Sequence, residues 1–457
     1  MKNQSADTPS TIIPPENRFA FLLIATCFGL WGMVNMMNDT LVPAVQKIFS
    51  INNSSSALVQ VVNYAAYALL ALPAAILIKR FNYKIGVLVG LILLTIGVSS
   101  IVPAGISHVY TPILIAIAMM ACGNSVLETS CNPYVLAMGS EATAVQRLNL
   151  AQTVNPIGCL LGLVIAKYLI LANLNPAEAA ERKLWTAEKA KEVLTHELFW
   201  LAIPYGAMVL VTVGMIVFLL ARRMPEGRDT EHAPHVFLSF QRLMANRRYV
   251  LGVVTQFFYV ALQVAIWTFI IKYTREAAIF TVDGQGKPAP GLTEADAWYS
   301  LAASMVVFSL ARVGCTALMR RINPASMMAT LAVAGIVLTI GAIVLPAWAG
   351  VVSLVLVSAC MSLMFPTIYG IALRDLGPEV KLGASGLIMA IIGGAAGSYA
   401  QGYLIDLFEK SGHRIDVAIR YSFLVPIVCL VVVLFYALKY RRFCATAPAT
   451  TAPVGGH

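Results

Sequence analysis

The sequence predicts an all-α membrane protein in which twelve spanning helices form two six-helix bundles around a central cavity. Three observations lead there. Of 457 residues, 59% are AVILMFWYC and only 12% are Asp, Glu, Lys or Arg, whereas a soluble domain carries about 25% charged residues. The apolar residues fall in runs long enough to cross a bilayer, which takes about 20 residues each. The polar stretch from Arg222 to Arg248 divides these runs into two equal sets. A cytosolic enzyme and a protein anchored by a few helices are both excluded, and the mean hydropathy of +0.77 agrees.

The runs cover roughly residues 19–48, 55–78, 84–104, 109–138, 143–173, 197–221, 249–275, 294–319, 325–346, 348–374, 382–408 and 416–438. An even number of spans puts both termini on one side. Lys and Arg concentrate in the segments on that side, in clusters such as Lys79-Arg80, Arg222-Arg223, Arg247-Arg248, Arg320-Arg321 and Arg441-Arg442. By the positive-inside rule both termini then face the cytoplasm, which for a bacterial protein means the inner membrane. The expected organisation is a cytoplasmic tail at 1–18, a first bundle at 19–221, a cytoplasmic linker at 222–248, a second bundle at 249–442 and a cytoplasmic tail at 443–457. The bilayer is the obligatory partner and the chain is expected to act as a monomer. A net charge of +10 does not point to nucleic acid, because the basic residues sit in short clusters between apolar runs.

The halves echo each other. Leu77-Ile-Lys-Arg-Phe-Asn82 after span two matches Leu318-Met-Arg-Arg-Ile-Asn323 after span eight, and Gly139-Ser-Glu141 after span four matches Gly377-Pro-Glu379 after span ten. Two parallel six-helix repeats around a midplane cavity are transporter architecture. Pro133, Pro366 and the Gly393, Gly394, Gly397 cluster supply the bends and close approaches that moving halves require. The eight cysteines show no CxxC spacing, and no phosphate loop, metal-ligand cluster or nucleophile constellation is present. No cofactor and no metal are expected.

An ionisable side chain at mid-bilayer costs at least about 2.5–3.5 kcal/mol and is a functional candidate by default. The first half has two, Asp39 in span one and Glu128 in span four, with no Lys or Arg near mid-span to neutralise them. Burial without a counter-cation favours the protonated acid, so these groups can exchange protons near neutral pH. All six histidines lie in loops, span ends or the tail. A proton cycle must therefore run on Asp39 and Glu128, unless Arg312 inside span eight takes part; Arg312 serves either as a structural gate or as a cavity-lining cation.

Around the acids lies a set of amides. Asn35 and Asp39 are four residues apart, as are Asn124, Glu128 and Asn132 in turn, and Asn38, Asn149, Gln152 and Asn155 extend the set. Such spacing places side chains on one helical face. An amide offers donors and an acceptor without charge, which suits a neutral polyhydroxyl ligand. In span seven, Gln256, Tyr259, Gln263 and Trp267 form one stripe, whose aromatic rings can meet the C–H face of a sugar.

Asn38-Asp-Thr-Leu-Val-Pro43, Leu127-Glu-Thr-Ser-Cys-Asn-Pro133, Leu148-Asn-Leu-Ala-Gln-Thr-Val-Asn155 and the span-seven run from Gln256 to Trp267 resemble the fucose/galactose/glucose:proton symporter family of the major facilitator superfamily. The resemblance covers the whole chain. It implies the major facilitator fold, alternating access, and symport of a neutral monosaccharide, L-fucose or a related hexose, with the proton as coupling ion. It implies that Glu128 lies near the sugar, that Asp39 assists protonation, and that Asn35, Asn132, Gln152 and Asn155 contact the sugar. The loops holding Arg80 and Arg321 resemble the gating motif of the superfamily. Where fucose members read Asn-Asn-Leu-Asn-Asp, this chain has Asn35-Met-Met-Asn-Asp39, and Gln-Tyr-Pro-Thr becomes Met364-Phe-Pro-Thr367. Unpairing a substrate hydroxyl costs roughly 1–3 kcal/mol, enough to reassign the sugar. Proton-driven efflux of amphiphilic compounds, sodium-coupled sugar symport and a non-transporting sugar receptor are the alternatives.

Overall fold

The computed structural model describes residues 11–49, 53–106, 109–175, 177, 179–182, 184–222, 224–225, 236–278, 280–282 and 288–441. Among them are twelve helical segments long and apolar enough to cross a membrane. Spans one to four are single helices, Arg18–Phe49, Asn53–Arg80, Tyr83–Ile106 and Tyr110–Ala137. Span five is broken into Ala144–Ala151 and Val154–Ile165, followed by a π-turn at Ala166–Ile170. Span six is Ala187–Ala221, span seven Arg247–Lys272, span eight Glu294–Leu318 and span nine Pro324–Val344. Spans ten, eleven and twelve are again broken, into Ala347–Met361 and Met364–Leu373, Val380–Met389 and Gly393–Lys410, and Ile415–Ser422 and Leu424–Lys439. Each span falls on its predicted apolar run.

Two elements were not anticipated. The linker carries an amphipathic helix, Val236–Ala245, with Ser239 and Leu243 buried. On the opposite face, Phe280–Val282 pairs antiparallel with Pro288–Pro290 before span eight. Pro133 does not interrupt span four.

The duplicated motifs have duplicated structure. Asn82 accepts a hydrogen bond from the Ile85 N–H at 2.9 Å where span three starts, and Asn323 accepts from Ala325 and Ser326 at 2.9 and 3.2 Å where span nine starts. Each asparagine thereby satisfies orphan donors at a helix N-terminus. Glu141 and Glu379 both lie in 3₁₀ turns, Glu141–Thr143 and Gly377–Glu379. Close helix approach is duplicated too. Gly158 of span five lies against the backbone of Gly29 in span one, as Gly393 and Gly397 of span eleven lie against Phe257 and Ala261 in span seven. A side chain at any of these glycines would force the helices apart.

Arg147, one of the cations on the linker side, is fully buried. It donates to the carbonyls of Val135 at 2.7 Å, Leu136 at 2.6 Å and Ile12 at 3.1 Å, to Ser140, and to the Thr143 hydroxyl. It thus closes the C-terminus of span four, whose last carbonyls lack the donors of a continuing α-helix. Replacing Arg147 with Met is expected to destabilise the protein by roughly 3 kcal/mol or more, because several acceptors lose their donor at about 1–3 kcal/mol each. Thermal unfolding in detergent would register this as a lower melting temperature, with Arg147→Lys recovering only part of it.

Candidate functional site in the central cavity

A cavity of about 180 Å³ lies between the two halves, more than ten times the roughly 10–15 Å³ that one water needs. Its two sides differ in chemistry. Spans one, two, four and five present Asn35, Asn63, Tyr64, Tyr67, Glu128, Gln152 and Asn155, together with Phe28 and Trp31. Spans seven, eight, ten and eleven present Tyr259, Gln263, Trp267, Phe308, Arg312, Phe365 and Ile391. The first half supplies a carboxyl and amides; the second supplies mainly rings and one cation. Trp267 is fixed by a 3.3 Å hydrogen bond to the Ser358 hydroxyl and packs edge-on against Phe308 at 5.2 Å.

Glu128 reaches this cavity from span four but is only 6% exposed. It forms no ion pair among the described residues. Its Oε1 accepts a hydrogen bond from the Tyr67 hydroxyl at 2.9 Å, Asn35 donates to the Tyr67 oxygen at 3.2 Å, and Asn124 donates to Asn35 at 2.9 Å. The direction of this chain is fixed by chemistry. Amide nitrogens only donate, so the Tyr67 proton points to the carboxyl. Among the described residues, neutral donors alone thus solvate the Glu128 carboxyl.

Asn132 and Gln152 stand behind the carboxyl. Gln152 donates to Asn132 at 2.7 Å, and Asn132 donates to the Glu128 carbonyl at 2.8 Å. Asn155 is anchored to the Phe28 carbonyl at 2.9 Å, which joins span five to span one at the cavity wall.

Arg312 joins the halves. It is 3% exposed and stacks over Phe308, with the guanidinium carbon 4.6 Å from the ring centroid. Its Nη1 donates to the Gln152 carbonyl of the first half at 2.9 Å, and its Nε donates to the Ser362 carbonyl of the second at 2.5 Å. Both acceptors have the same origin. Proline has no N–H, so Pro156 cannot bond the carbonyl four residues back at Gln152, and Pro366 cannot bond Ser362. In a lipid-embedded protein such carbonyls are satisfied by other donors, and the Gln152 carbonyl also accepts from the Asn155 N–H at 3.3 Å. The rigid guanidinium fork meets two of them at once, at the breaks in spans five and ten.

The remaining predicted residues separate into two groups. Asn35, Gln152, Asn155, Tyr259, Gln263, Trp267 and Arg312 line the cavity with Glu128. Asn38 is buried away from it and accepts from the Tyr205 hydroxyl at 3.2 Å, Asn132 forms the supporting layer, and Gln256 is fully buried outside the lining. Asp39 belongs to the span-one helix, and its side chain lies outside the described residues. Arg80 and Arg321 are exposed at the ends of spans two and eight. The hydrogen bonds across the halves on that face come from other groups. Gln146 donates to the Thr316 carbonyl at 3.0 Å, and Glu141 accepts from the Asp375 N–H at 3.2 Å. On the opposite face the Lys167 ammonium sits 3.8 Å from the centre of the Trp298 ring.

Sequence reasoning missed Tyr67, Tyr64 and Asn63 of span two, and Phe308 of span eight. Tyr67 followed by Asn63 one turn earlier is the only signal that could have found the first group, since span two contains no charge before Lys79. Of the four apolar departures noted above, Met36 and Phe365 line the cavity, whereas Met37 and Met364 are buried elsewhere.

Twelve spans in two similar bundles, with a polar cavity buried between them, define a membrane transporter. Comparison with known proteins gives its family. The Major Facilitator Superfamily profile matches residues 22–400, and the chain belongs to that superfamily. It is 36% identical over 425 residues to the L-fucose-proton symporter of Haemophilus influenzae, covering 92% of this chain and 96% of the relative. It is 29% identical to a glucose/galactose transporter of Brucella abortus, covering 92% and 93%. Among solved structures, the fucose:proton symporter FucP of E. coli superposes with a TM-score of 0.81 at 28% identity, covering 94% of this chain and 99% of that one.

Removing the Arg312 strut should loosen the seal between the halves. With a cysteine introduced at Val145 in a cysteine-free background, Arg312→Met is expected to raise labelling by a membrane-impermeant maleimide from the linker side several-fold. A hydrogen bond from a charged donor is worth about 1.5–3 kcal/mol. Unchanged labelling would show that the strut does not hold the halves.

Proposed function

We propose that the protein is a symporter, not an enzyme, that uses the inward proton gradient to accumulate a neutral monosaccharide, L-fucose or a related hexose. The observation that carries this reading is Glu128, a carboxyl without a cationic partner among the described residues, solvated by Tyr67 and placed in the wall of a cavity built from amides and aromatic rings. The names of its relatives, fucose-proton symporters and glucose/galactose transporters, support it. The amide side of the cavity is suited to hydroxyls and the ring side to the C–H face of a pyranose.

In the proposed cycle the cavity opens away from the linker, Glu128 takes up a proton with the assistance of Asp39, and sugar binds. The halves then rock and sugar leaves on the linker side. Neutralising the acid before the cavity closes removes the cost of burying a charge, which is what couples the two fluxes. The linker face is assigned to the cytoplasm from the distribution of Lys and Arg. The protein works as a monomer in the bacterial inner membrane, with the proton as its only coupling partner.

Reconstituted into liposomes under an inward proton gradient, the protein should concentrate fucose, galactose or glucose. Glu128→Gln should retain exchange of sugar between the two sides but lose uphill accumulation. Accumulation by Glu128→Gln equal to that of the parent would remove the coupling role, and uptake that follows sodium instead of pH would replace the coupling ion.

A further inference from the structure

Between the cavity and the linker face lie polar atoms that the site above does not use. Asn149 Oδ1 of span five, both side-chain polar atoms of Gln256 in span seven, and the Tyr369 hydroxyl of span ten are buried without a hydrogen-bond partner among the described residues. All three side chains are fully buried. Unpaired buried polar groups are costly and rare, and they commonly mark bound water or a functional role.

These groups share one level. Asn149 reaches the Thr367 hydroxyl at 3.4 Å, and Val145, one turn before it, packs on Gly370. On span seven, Gly252 faces Ala372 and the Tyr259 ring faces Phe365 at 6.1 Å, so Gln256 between them is level with Ile368 and Tyr369. Along span five the order is Gln146, Asn149, Gln152; along span ten it is Leu373, Tyr369, Phe365. In each series the first residue lines a linker-side vestibule of about 450 Å³ and the last lines the central cavity. The unpaired atoms form the layer between the two chambers. Tyr369 lies within electrostatic reach of Glu128, and also of Tyr249 near the linker-side end of span seven. The charged groups at the vestibule end are Glu141, Arg374 and Asp375.

We propose that Tyr369, Gln256 and Asn149 form the path by which the proton leaves Glu128 for the linker-side vestibule, hydrated when the halves part on that face. This rests on the proton symport proposed above. The Glu128 O–H bond breaks and its proton passes to a water. That water gives a proton to the Tyr369 oxygen as the Tyr369 O–H proton passes to the next water, so the phenol is regenerated. The amide atoms of Gln256 and Asn149 hold the waters in line. The net result is a Glu128 carboxylate and a hydronium ion in the vestibule, with no change in oxidation state.

The test is Tyr369→Phe, which removes one oxygen and keeps the ring stacked on Phe365. In proteoliposomes, net proton-driven uptake should fall by about a hundredfold, the lower end of the range expected for losing a positioned proton-transfer group. Exchange with sugar on both sides, which needs no net proton release, should stay within about twofold of the parent. Gln256→Leu should show the same split. Net uptake at the parent rate in both variants, or net uptake and exchange lost together, would overturn the release path and leave the symport reading standing. A parent that accumulates sugar without proton movement would overturn the symport reading and the path with it.

Discussion

A carboxyl kept inside a lipid-embedded protein without a cation is the constraint from which the rest of this structure follows. A fixed positive partner would hold Glu128 ionised; exposure to hydrocarbon would hold it neutral. The protein provides an intermediate solvation through the ordered chain from Asn124 to Asn35 to Tyr67. Keeping that chain in register requires spans one, two and four to hold fixed relative positions. The close glycine contact between spans one and five, and the bond from Asn155 to the Phe28 carbonyl, secure span one against its neighbour.

Arg312, the one buried cation of the cavity among the described residues, is used differently. It does not neutralise Glu128; its donors go to the Gln152 and Ser362 carbonyls, to which Pro156 and Pro366 cannot donate. The prolines thus act twice. They break spans five and ten where the chain must yield, and they create acceptors through which a residue of the second half holds a residue of the first. A contact made to backbone at helix breaks can be lost and remade as the halves move without leaving an ion behind unpaired. That arrangement commits the donors of Arg312 to backbone and leaves the Glu128 carboxyl to Tyr67.

Much of the fold was legible because a bilayer imposes length and apolarity on every span. The runs from 19–48 to 416–438 became the twelve spans, and the Lys-Arg-Phe-Asn and Met-Arg-Arg-Ile-Asn echoes became matching helix starts at Asn82 and Asn323. Glu128, Asn35, Gln152 and Asn155 were legible for the same reason, since polar groups at that depth are rare enough to stand out. Tyr67 was not, because a tyrosine in a membrane helix is as often an apolar packing group or an interfacial anchor. Arg147 stands in the sequence as a lone cation between spans four and five, and only the fold showed it buried against the end of span four.

The sequence by itself determined the number of spans, their division into two related halves, and the few polar residues that lie at the depth of the cavity. These follow from composition and spacing against the fixed thickness of hydrocarbon. Tertiary structure alone decided which of those residues face one another. Gln256 and Gln263 lie on one stripe of span seven, yet only Gln263 meets the cavity. A helix stripe spans a wide arc and many ångströms of depth, and the neighbouring helices select which part of it encloses empty space.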